Sequence, residues 1–547
     1  MNPMTLLAQL VSDDPDATIA IDADRRRPVR VSRHALWRHA LSVRAALATR
    51  GVSPGDCVGV WLPNWSDALA WQFGSAALGA HVVGINTRYN TDEVAHVMRR
   101  ARPAIVAVAH DFHGLDLIGT LRQAIAAAPG DVPSVAVVPG PHGVPPDDLS
   151  VYDVGRGAWL LDARDDRDIE FGPRLDEGER LAVAFTTSGS TGAPKLAAHT
   201  GAAVVAHGLA DAEAIGIQAG DVVLCALPLA GVFGFSTAMA AIAGGAACLL
   251  EPVFDEDAVI ADMARWGVTH VVGADDMVLR LAQAWDRDRR DLSRWRWMGI
   301  ADFLGRSHTL AGWAAARFGT RTTGVYGSSE VFALAALWPH DEPVPRRWSA
   351  GGRPVSPEIE VRVVDPSTGR EVNPGVEGEL QMRGQNGVDT YLGDPGAAAR
   401  SFTTDGWLRT GDLATIDDDG GITYVCRMGD ALRLRGFLVD PAEIEHRLAE
   451  HDAVAVAKVV GIAGPDGADR AVAFVQLREP GGVSADALRD WCARAIAPFK
   501  VPSAVHIVAE MPTTSGTNGT KIRAATLRTW AEQLQASEHD GERRGTR

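Results

Sequence analysis

Short apolar runs alternate with segments whose apolar residues recur at helical spacing through the first half of the chain. A short apolar run bounded by turn residues is typical of a buried strand, whereas a spacing of three or four is typical of an amphipathic helix. Because strands separated by helices form parallel βαβ units, the alternation predicts an α/β fold. The predicted strands lie at residues 57–62, 80–85, 181–185, 221–228, 270–275 and 297–302, and the predicted helices at residues 32–46, 65–78, 200–215 and after residue 92.

The pattern changes in the second half of the chain. Residues 349–413 carry short strands separated by glycine and proline turns, which predicts a small β-rich subdomain. Further on, strands near 454–461 and 471–477 and a helix over 484–496 predict a compact α+β domain of about 110 residues, within the usual domain range. By contrast, residues 129–180 are rich in Pro, Gly and Asp and predict a long surface excursion without chemistry.

These patterns predict three segments of the chain. Residues 1–428 form a large domain of parallel βαβ subdomains together with the small β-rich subdomain. Residues 429–536 form a small, mobile α+β C-terminal domain, and residues 537–547 form a charged, disordered tail. A chain of 547 residues is too long for one ordinary hydrophobic core, which agrees with this division.

Charge and cysteine usage narrow the class of protein. The net charge of −16 has the same sign as nucleic acid and anionic membranes and argues against both as general partners. The start of the chain shows no signal-peptide pattern, and no apolar run is long enough for a membrane span. Scattered cysteines without a CxxC pair fit a reducing compartment, so we expect a cytoplasmic protein. The cysteines are Cys57, Cys225, Cys248, Cys426 and Cys492.

The strongest candidate for chemistry is a loop at residues 187–195, directly after a predicted strand. It holds two threonines, two serines, two glycines and one lysine. Glycines permit close backbone approach, hydroxyl and N–H groups can surround an anion, and a lysine adds a point charge. The composition suits a triphosphate, although a flexible surface loop remains an alternative reading. It is not a Walker A loop, because the spacing to Lys195 differs and no Ser or Thr follows Lys195.

Residues 326–330, Tyr-Gly-Ser-Ser-Glu, form a second candidate segment. Tyr326 offers a flat ring to adenine, and Ser329 offers a hydroxyl to a phosphate. Glu330 is a hard oxygen ligand suited to Mg²⁺, which binds through one or two carboxylates plus substrate phosphates. Taken alone, the segment would be an ordinary turn.

The phosphate-type loop closely resembles the signature of the adenylate-forming superfamily, which contains acyl-CoA synthetases, peptide-synthetase adenylation domains and luciferases. Residues 326–330 resemble its Tyr-Gly-x-Thr-Glu signature, and residues 410–412 its Thr-Gly-Asp signature. Residues 427–445 resemble its hinge and the start of its small domain. The resemblance covers residues 17–530, with the motifs in family order, and the chain looks most like a bacterial acyl-CoA synthetase.

The resemblance implies a role for each matching residue. Asp412 would accept both ribose hydroxyls and Arg427 would contact ribose or phosphate. Glu330 would hold Mg²⁺, and Lys521 and Thr187 would join it as catalytic residues. The implied ATP- or AMP-binding residues are Thr187, Ser188, Gly189, Ser190, Thr191, Gly192, Lys195, Gly299, Ala301, Tyr326, Gly327, Ser328, Ser329, Asp412 and Arg427. The implied acyl pocket contains Gly231, Val232, Phe233 and Asp302, Gly436 would line the CoA tunnel, and Gly429 would be the hinge.

The chain departs from the family pattern at several positions. Gly231 stands where an aromatic residue or histidine is usual. This glycine either only makes a turn, or its missing side chain leaves space for a bulky acid. Gly429 replaces the usual Asp or Lys, and Cys426 the usual Gly. The Gly/Thr/Ser loop before the family's catalytic lysine is longer here than in the family pattern, so we assign that lysine to Lys521, with Lys500 as the competitor.

The resemblance implies an ATP-dependent, AMP-forming carboxylic acid–CoA ligase that uses ATP, Mg²⁺ and coenzyme A. A carboxylate would attack ATP to give an acyl-adenylate, and a thiol would then take the acyl group after rotation of the small domain. Gly231 favours a bulky or natural-product acid, while fatty and aryl acids stay open. Three alternatives also remain: transfer to a carrier-protein thiol, a degenerate nucleotide binder without turnover, and luciferase-like oxidation. A homodimer is left open by the sequence.

Overall fold

The computed structural model describes residues 1–128, 130–161, 177–187, 194–303, 305–428, 432–434, 437–439, 441–463, 469–496, 498, 500–516 and 519–545. The α-helices of these residues are α1 (Pro3–Asp13), α2 (Arg33–Thr49), α3 (Ser66–Leu78), α4 (Thr91–Ala101), α5 (Leu117–Ala127), α6 (Gly201–Ile215), α7 (Val232–Ala243), α8 (Glu256–Trp266), α9 (Asp275–Arg287), α10 (Ser307–Phe318), α11 (Pro395–Ser401), α12 (Pro441–Ala449), α13 (Ala485–Ala493) and α14 (Ala524–Gly545).

The strands are numbered in the same way along the chain. They are β1 (Thr18–Asp22), β2 (Val29–Ser32), β3 (Cys57–Trp61), β4 (His81–Gly84), β5 (Ile105–Ala109), β6 (Ser134–Val138), β7 (Ala158–Leu160), β8 (Leu181–Thr186), β9 (Leu196–Thr200), β10 (Val222–Cys225), β11 (Ala247–Leu250), β12 (His270–Ala274), β13 (Trp297–Ala301), β14 (Arg321–Tyr326), β15 (Ala336–Leu337), β16 (Gly351–Pro354), β17 (Glu360–Val364), β18 (Gly378–Arg383), β19 (Thr390–Tyr391), β20 (Leu408–Ile416), β21 (Ile422–Arg427), β22 (Leu432–Leu434), β23 (Phe437–Val439), β24 (Val454–Ala463), β25 (Asp469–Leu477), β26 (Ala504–Val508), β27 (Thr513–Gly516) and β28 (Gly519–Ile522).

The chain divides into two compact units. The first contains residues 1–301, 307–361 and 382–408, and the second contains residues 302–306, 362–381 and 409–547. The mixed α/β class, with parallel sheets in the larger unit, is confirmed. The predicted domain boundary near Gly429 stays a prediction, since residues 429–431 lie outside the described residues.

Two sheets organise the first unit. One has the strand order β19-β9-β8-β4-β3-β5-β6-β7, in which β3 to β8 are parallel and β9 pairs antiparallel with both β8 and β19. In the other, β1 and β10 to β14 form a parallel series with β11 between β1 and β10. Strands β3, β4 and β5 are buried along their whole length, as parallel strands covered on both faces must be.

Local signals set several element ends where the sequence predicts them. Ser32 begins α2, and its hydroxyl accepts a hydrogen bond from the Ala35 N–H at 3.2 Å. A capping box formed by Asn90 and Glu93 begins α4. These caps satisfy N–H groups that have no partner inside the helix, which fixes where each helix starts.

Two predicted segments differ from the structure. Residues 129–180 contain β6 and β7, which extend the first sheet beyond β5 by parallel pairing. Strand β6 is as long as β3, but the prediction gave more weight to the surrounding Pro, Gly and Asp residues, and β7 has only three residues. The tail from residue 537, predicted to be disordered, continues α14 up to Gly545. That segment contains two Glu and two Arg residues, which are good helix formers.

In the second unit, β24, β25 and β26 form a three-stranded sheet. Strand β25 pairs antiparallel with β24 and parallel with β26. Helices α12 and α13 pack on this sheet through buried residues such as Ile444, Leu448 and Leu488, and α14 packs through Leu527. Helix α13 begins after the N-cap Ser484, as predicted. All five cysteines are buried thiols, and no helix in the described part of the chain has the length and apolar character needed to cross a bilayer.

Candidate active site

The phosphate-type loop leaves the first sheet at Thr187 and returns to it at Lys195. The Thr187 N–H donates to the Lys195 carbonyl at 2.8 Å, and the Lys195 N–H donates to Thr187 Oγ1 at 3.1 Å. These two bonds close the base of the loop where β8 ends and β9 begins. Its remaining predicted binding residues lie outside the described residues; they are Ser188, Gly189, Ser190, Thr191 and Gly192.

The second predicted segment follows β14 and forms a tight turn. Tyr326 ends β14 and is only 6% exposed. The Ser328 hydroxyl accepts a hydrogen bond from the Glu330 N–H at 3.3 Å, and the Glu330 carbonyl accepts one from the Val388 N–H at 2.6 Å. The backbone of Glu330 is therefore held on both sides, while its side chain remains half-exposed and open to a ligand.

The structure brings Lys195 and Glu330 to the same side chain. The Tyr391 hydroxyl donates to Glu330 Oε1 at 3.4 Å, and Lys195 Nζ lies 4.9 Å from the centroid of the Tyr391 ring. The two predicted segments, far apart in sequence, thus supply a cation and a carboxylate to one place in the first unit. This arrangement suits a metal-bound polyphosphate, which needs both charges nearby.

The donor set fits Mg²⁺ held mainly by substrate. Among the described residues, no group of three or more His, Cys, Asp or Glu side chains could hold a metal ion. Glu330 is the carboxylate at the site, and Mg²⁺ commonly binds through one or two carboxylates plus phosphates and waters. Glu330 would therefore hold Mg²⁺ together with the triphosphate.

The residues predicted to border adenine lie on two neighbouring strands. Gly299 and Ala301 belong to β13, which runs parallel to β14, the strand that ends at Tyr326. Because parallel neighbours end at the same sheet edge, these residues share an edge with the Glu330 turn. Asp302 is half-buried directly after β13 and belongs to the second unit.

The predicted ribose residues face each other in the second unit. Asp412 on β20 is the cross-strand partner of Arg427 on β21, and Arg427 Nη1 donates to Asp412 Oδ1 at 2.7 Å. The same Nη1 donates to the Thr410 carbonyl at 2.8 Å. Asp412 is 5% exposed. The guanidinium therefore orients the carboxylate, and the pair presents an acceptor beside a fork of donors.

We expect Asp412→Asn to lower kcat/KM for ATP by about tenfold or more, because hydrogen bonds to a charged group contribute about 1.5–3 kcal/mol. The substitution keeps the shape of the side chain and removes its charge. The measurement is ATP–pyrophosphate exchange at varied ATP concentration.

The matched control is Asp365→Asn, in an exposed turn where the carboxylate bonds only to nearby Ser367 and Thr368 among the hydrogen bonds described. It should leave the KM for ATP unchanged. An equal effect of both substitutions would contradict a ribose role for Asp412.

The predicted acyl-pocket residues begin α7. Gly231 is its N-cap, and Val232 and Phe233 are 2% and 6% exposed within the large core of the first unit. Beside the same loop, Ala230 lines a cavity of about 20 Å³, which holds no more than one water. This cavity is too small for a carboxylic acid.

The structure describes the side chain of Lys500 but only the backbone of Lys521. Lys500 Nζ forms an ion pair with Glu443 at 2.6 Å. Lys521 lies in β28, which pairs antiparallel with β27 and sets Lys521 opposite Thr514. Its side chain, like Gly429 and Gly436, lies outside the described part.

The segment before Lys521 was predicted to be a Gly/Thr/Ser loop, and in the structure residues 513–516 and 519–522 pair as two antiparallel strands. β-branched threonines at positions 513, 514 and 520 favour strands.

Three residues at the site were missed by sequence reasoning. Tyr391 contacts both Lys195 and Glu330, as described above. His199 on β9 is fully buried, and its Nε2–H donates to the Ser329 carbonyl at 2.8 Å. Phe332 packs against the rings of Phe185, His199, His207 and Phe235 with centroid distances of 5.0 to 6.2 Å. Only Phe332, which closely follows Glu330, had a local signal.

The sequence of the chain matches two protein-family models. Residues 7–392 match the model of the AMP-binding enzyme family, and residues 443–517 match that of the AMP-binding enzyme C-terminal domain. The chain is 29% identical over 475 residues to the 3-[(3aS,4S,7aS)-7a-methyl-1,5-dioxo-octahydro-1H-inden-4-yl]propanoyl:CoA ligase of Rhodococcus jostii, covering 86% of this chain and 88% of that protein.

Two further similarities span nearly the whole chain. The chain is 30% identical over 522 residues to the 2-hydroxy-7-methoxy-5-methyl-1-naphthoate–CoA ligase of Streptomyces carzinostaticus, covering 93% of this chain and 90% of that protein. The fold is similar to the ATP-bound crystal structure of MatB from Rhodopseudomonas palustris. The TM-score is 0.84 and the identity 24%, with 98% of this chain and 100% of that chain covered.

Proposed function

The chain belongs to the AMP-binding enzyme family, and on this premise we propose that it is an AMP-forming carboxylic acid–CoA ligase for a bulky, ring-containing acid. The observation that carries the proposal is the meeting of Lys195 and Glu330 at Tyr391, beside the closed base of the phosphate-type loop. This arrangement suits the triphosphate of ATP together with Mg²⁺.

In the proposed first step, a carboxylate oxygen of the acid attacks the α-phosphorus of ATP. The bond from that phosphorus to the bridging oxygen breaks, which gives acyl-adenylate and pyrophosphate. Two anions must meet, so the protein contributes charge neutralisation and positioning. Lys195 and the loop after Thr187 would hold the β- and γ-phosphates, and Lys521 would neutralise charge between the carboxylate and the α-phosphate. Mg²⁺, when bound with ATP at Glu330, would neutralise further phosphate charge.

In the proposed second step, the sulfur of CoA attacks the carbonyl carbon of the acyl-adenylate. The thiol loses its proton, the bond to the AMP oxygen breaks, and AMP leaves. Gly436 is the proposed lining of the pantetheine tunnel, where a residue without a side chain would let the thiol pass. Gly429 is the proposed hinge, since glycine absorbs large changes in φ and ψ.

Two observations support a bulky acid. Gly231 has φ −112° and ψ 150°, extended backbone that any residue adopts, so its conformation does not require glycine. A missing side chain at this position is then better explained by the space that it leaves. In addition, the relatives from Rhodococcus jostii and Streptomyces carzinostaticus are named for fused-ring acids.

The proposal is tested by ATP–pyrophosphate exchange across fatty, monocyclic aryl and fused-ring acids, each with and without CoA. We expect exchange with fused-ring acids, and the corresponding thioester and AMP when CoA is added. Exchange only with straight-chain acids would contradict the bulky-acid assignment.

The same panel separates the alternatives. Transfer of the acyl group to the pantetheine thiol of a carrier protein, and not to CoA, would identify the enzyme as one that loads a carrier protein. ATP binding without exchange for any acid would favour a nucleotide binder without turnover.

A further inference from the structure

Tyr391 occupies a fixed position between the two charged groups of the proposed ATP site. It belongs to β19, which pairs antiparallel with β9 and sets Tyr391 opposite Ala197. The Asp389 N–H donates to the Ala198 carbonyl at 2.9 Å, and the Leu392 N–H donates to the Leu196 carbonyl at 3.0 Å. Tyr391 is 2% exposed. Its ring therefore has little freedom to move.

The two ends of this side chain make different contacts. The hydroxyl donates to one carboxylate oxygen of Glu330, Oε1, at 3.4 Å. A carboxylate has a second oxygen, so this bond can orient the group without occupying it. The ring faces Lys195 Nζ at 4.9 Å from its centroid, within the range of a cation–π contact. One residue thus touches the carboxylate and the cation that serve the same polyphosphate.

Other contacts fix the Glu330 turn but leave its carboxylate to be oriented separately. The His199 Nε2–H donates to the Ser329 carbonyl at 2.8 Å, and the Val388 N–H donates to the Glu330 carbonyl at 2.6 Å. Burial lowers the pKa of His199 to about 4, so the ring is neutral near neutral pH. Its single N–H, on Nε2, donates to the Ser329 carbonyl. Both bonds act on backbone atoms. The hydroxyl of Tyr391 acts on the carboxylate itself.

We propose that Tyr391 is a positioning residue for ATP: its hydroxyl orients the Glu330 carboxylate toward the metal-bound triphosphate, and its ring places the Lys195 ammonium beside the same phosphates. The inference rests on the proposed use of Mg-ATP. Its competitor is a simple packing role, in which a phenylalanine would serve equally well because the ring is buried.

The first test is Tyr391→Phe, with ATP binding measured by calorimetry in Mg²⁺ and again in excess EDTA. Loss of a hydrogen bond to a charged group should weaken binding of Mg-ATP by about tenfold. Binding of metal-free ATP should change by less than about twofold, since the ring still faces Lys195. Tyr391→Leu removes the ring as well and should also weaken binding of metal-free ATP.

The matched control is Tyr152→Phe. Tyr152 also makes a side-chain hydrogen bond, with Nδ1 of His110, and lies on a different segment of the first unit. This variant should bind Mg-ATP and metal-free ATP like the wild type. A tenfold loss there would mean that deletion of a tyrosine hydroxyl far from the site also weakens binding of Mg-ATP, and would overturn the inference.

A double-mutant cycle decides whether the hydroxyl acts through Glu330. In a Glu330→Gln background, Tyr391→Phe should produce almost no further loss of Mg-ATP affinity. Two losses that multiply in full would overturn the inference. So would a Tyr391→Phe variant that binds Mg-ATP like the wild type, or one that weakens Mg-ATP and metal-free ATP equally.

Because these readouts are binding constants, they do not depend on which acid is supplied. The wild-type protein could bind Mg-ATP and yet show no pyrophosphate exchange with any acid of the panel. That result would overturn the proposed ligase activity, while the effect of Tyr391 on ATP binding could still be measured.

Discussion

Lys521→Ala should lower the rate of acyl-adenylate formation by about 10²–10³-fold, in line with loss of one preorganised stabilising charge. Thioester formation from supplied acyl-adenylate should persist, because that step no longer brings a carboxylate to a phosphate. Pyrophosphate exchange measures the first half-reaction. Chromatography of the thioester formed from synthetic acyl-adenylate and CoA measures the second.

Lys500→Ala is the matched control for Lys521. Lys500 lies in the same unit, and its ammonium pairs with Glu443 at 2.6 Å, which gives it a structural role. The variant should retain adenylation close to the wild-type rate. Equal loss of both half-reactions in Lys521→Ala, or a deeper adenylation defect in Lys500→Ala, would refute the assignment.

A bulky substitution at Gly436 should show the opposite pattern, with adenylation kept and thioester formation lost. A Gly436 variant of this kind with normal CoA turnover would rule out the proposed tunnel.

Gly327→Ala should lower ATP–pyrophosphate exchange by about 10²-fold, the scale expected for a misplacement of about 1 Å in a catalytic constellation. A Cβ at position 327 would lie 1.6 Å from the Ala333 carbonyl oxygen and 2.3 Å from its carbon. Phe332, next to Ala333, is fully buried among four rings, so this backbone resists displacement. The turn that carries Glu330 must therefore shift.

Gly312→Ala provides the matched control. Gly312 lies inside α10, and a Cβ there would meet only the Trp348 ring, at the ordinary contact distance of 3.9 Å. Since alanine favours helix over glycine by about 1 kcal/mol, this variant should keep full exchange and melt slightly higher. Near-UV circular dichroism separates a local shift from unfolding. A Gly327→Ala variant with normal exchange and a normal melting temperature would contradict the close approach.

The elements of this protein that are set by residues close together in the sequence were predictable from that sequence. The apolar runs at β3, β4 and β8 and the cap at Ser32 lie where the patterns placed them. Hydrophobic periodicity and helix capping depend on residues a few positions apart, so a short stretch of sequence is enough to predict them. Lys195 and Glu330 were likewise candidates on the chemistry and order of their motifs, and their roles stay predictions.

Other elements form only when segments of the chain pair with each other, and these were missed. Strand β6 is as long as β3 but lies among residues rich in Pro and Gly, and the three-residue β7 becomes a strand by pairing with β6. Strands β27 and β28, the second of which contains Lys521, become strands by pairing with each other within a segment rich in Gly, Thr and Ser. Short strands gain their stability from partners, so their own sequence signals are weak.

The sequence by itself determined the class of fold, the candidate phosphate loop, and which residue types could serve ATP. Only the tertiary structure decided how those residues are held. Tyr391 reaches Glu330 across 61 residues of chain, and His199 reaches Ser329 across 130. No local pattern encodes such contacts, because they arise from packing of the sheet edge at β9 and β19 against the turn after β14. Side-chain orientation at a site depends on that packing, whereas the identity of the reactive groups does not.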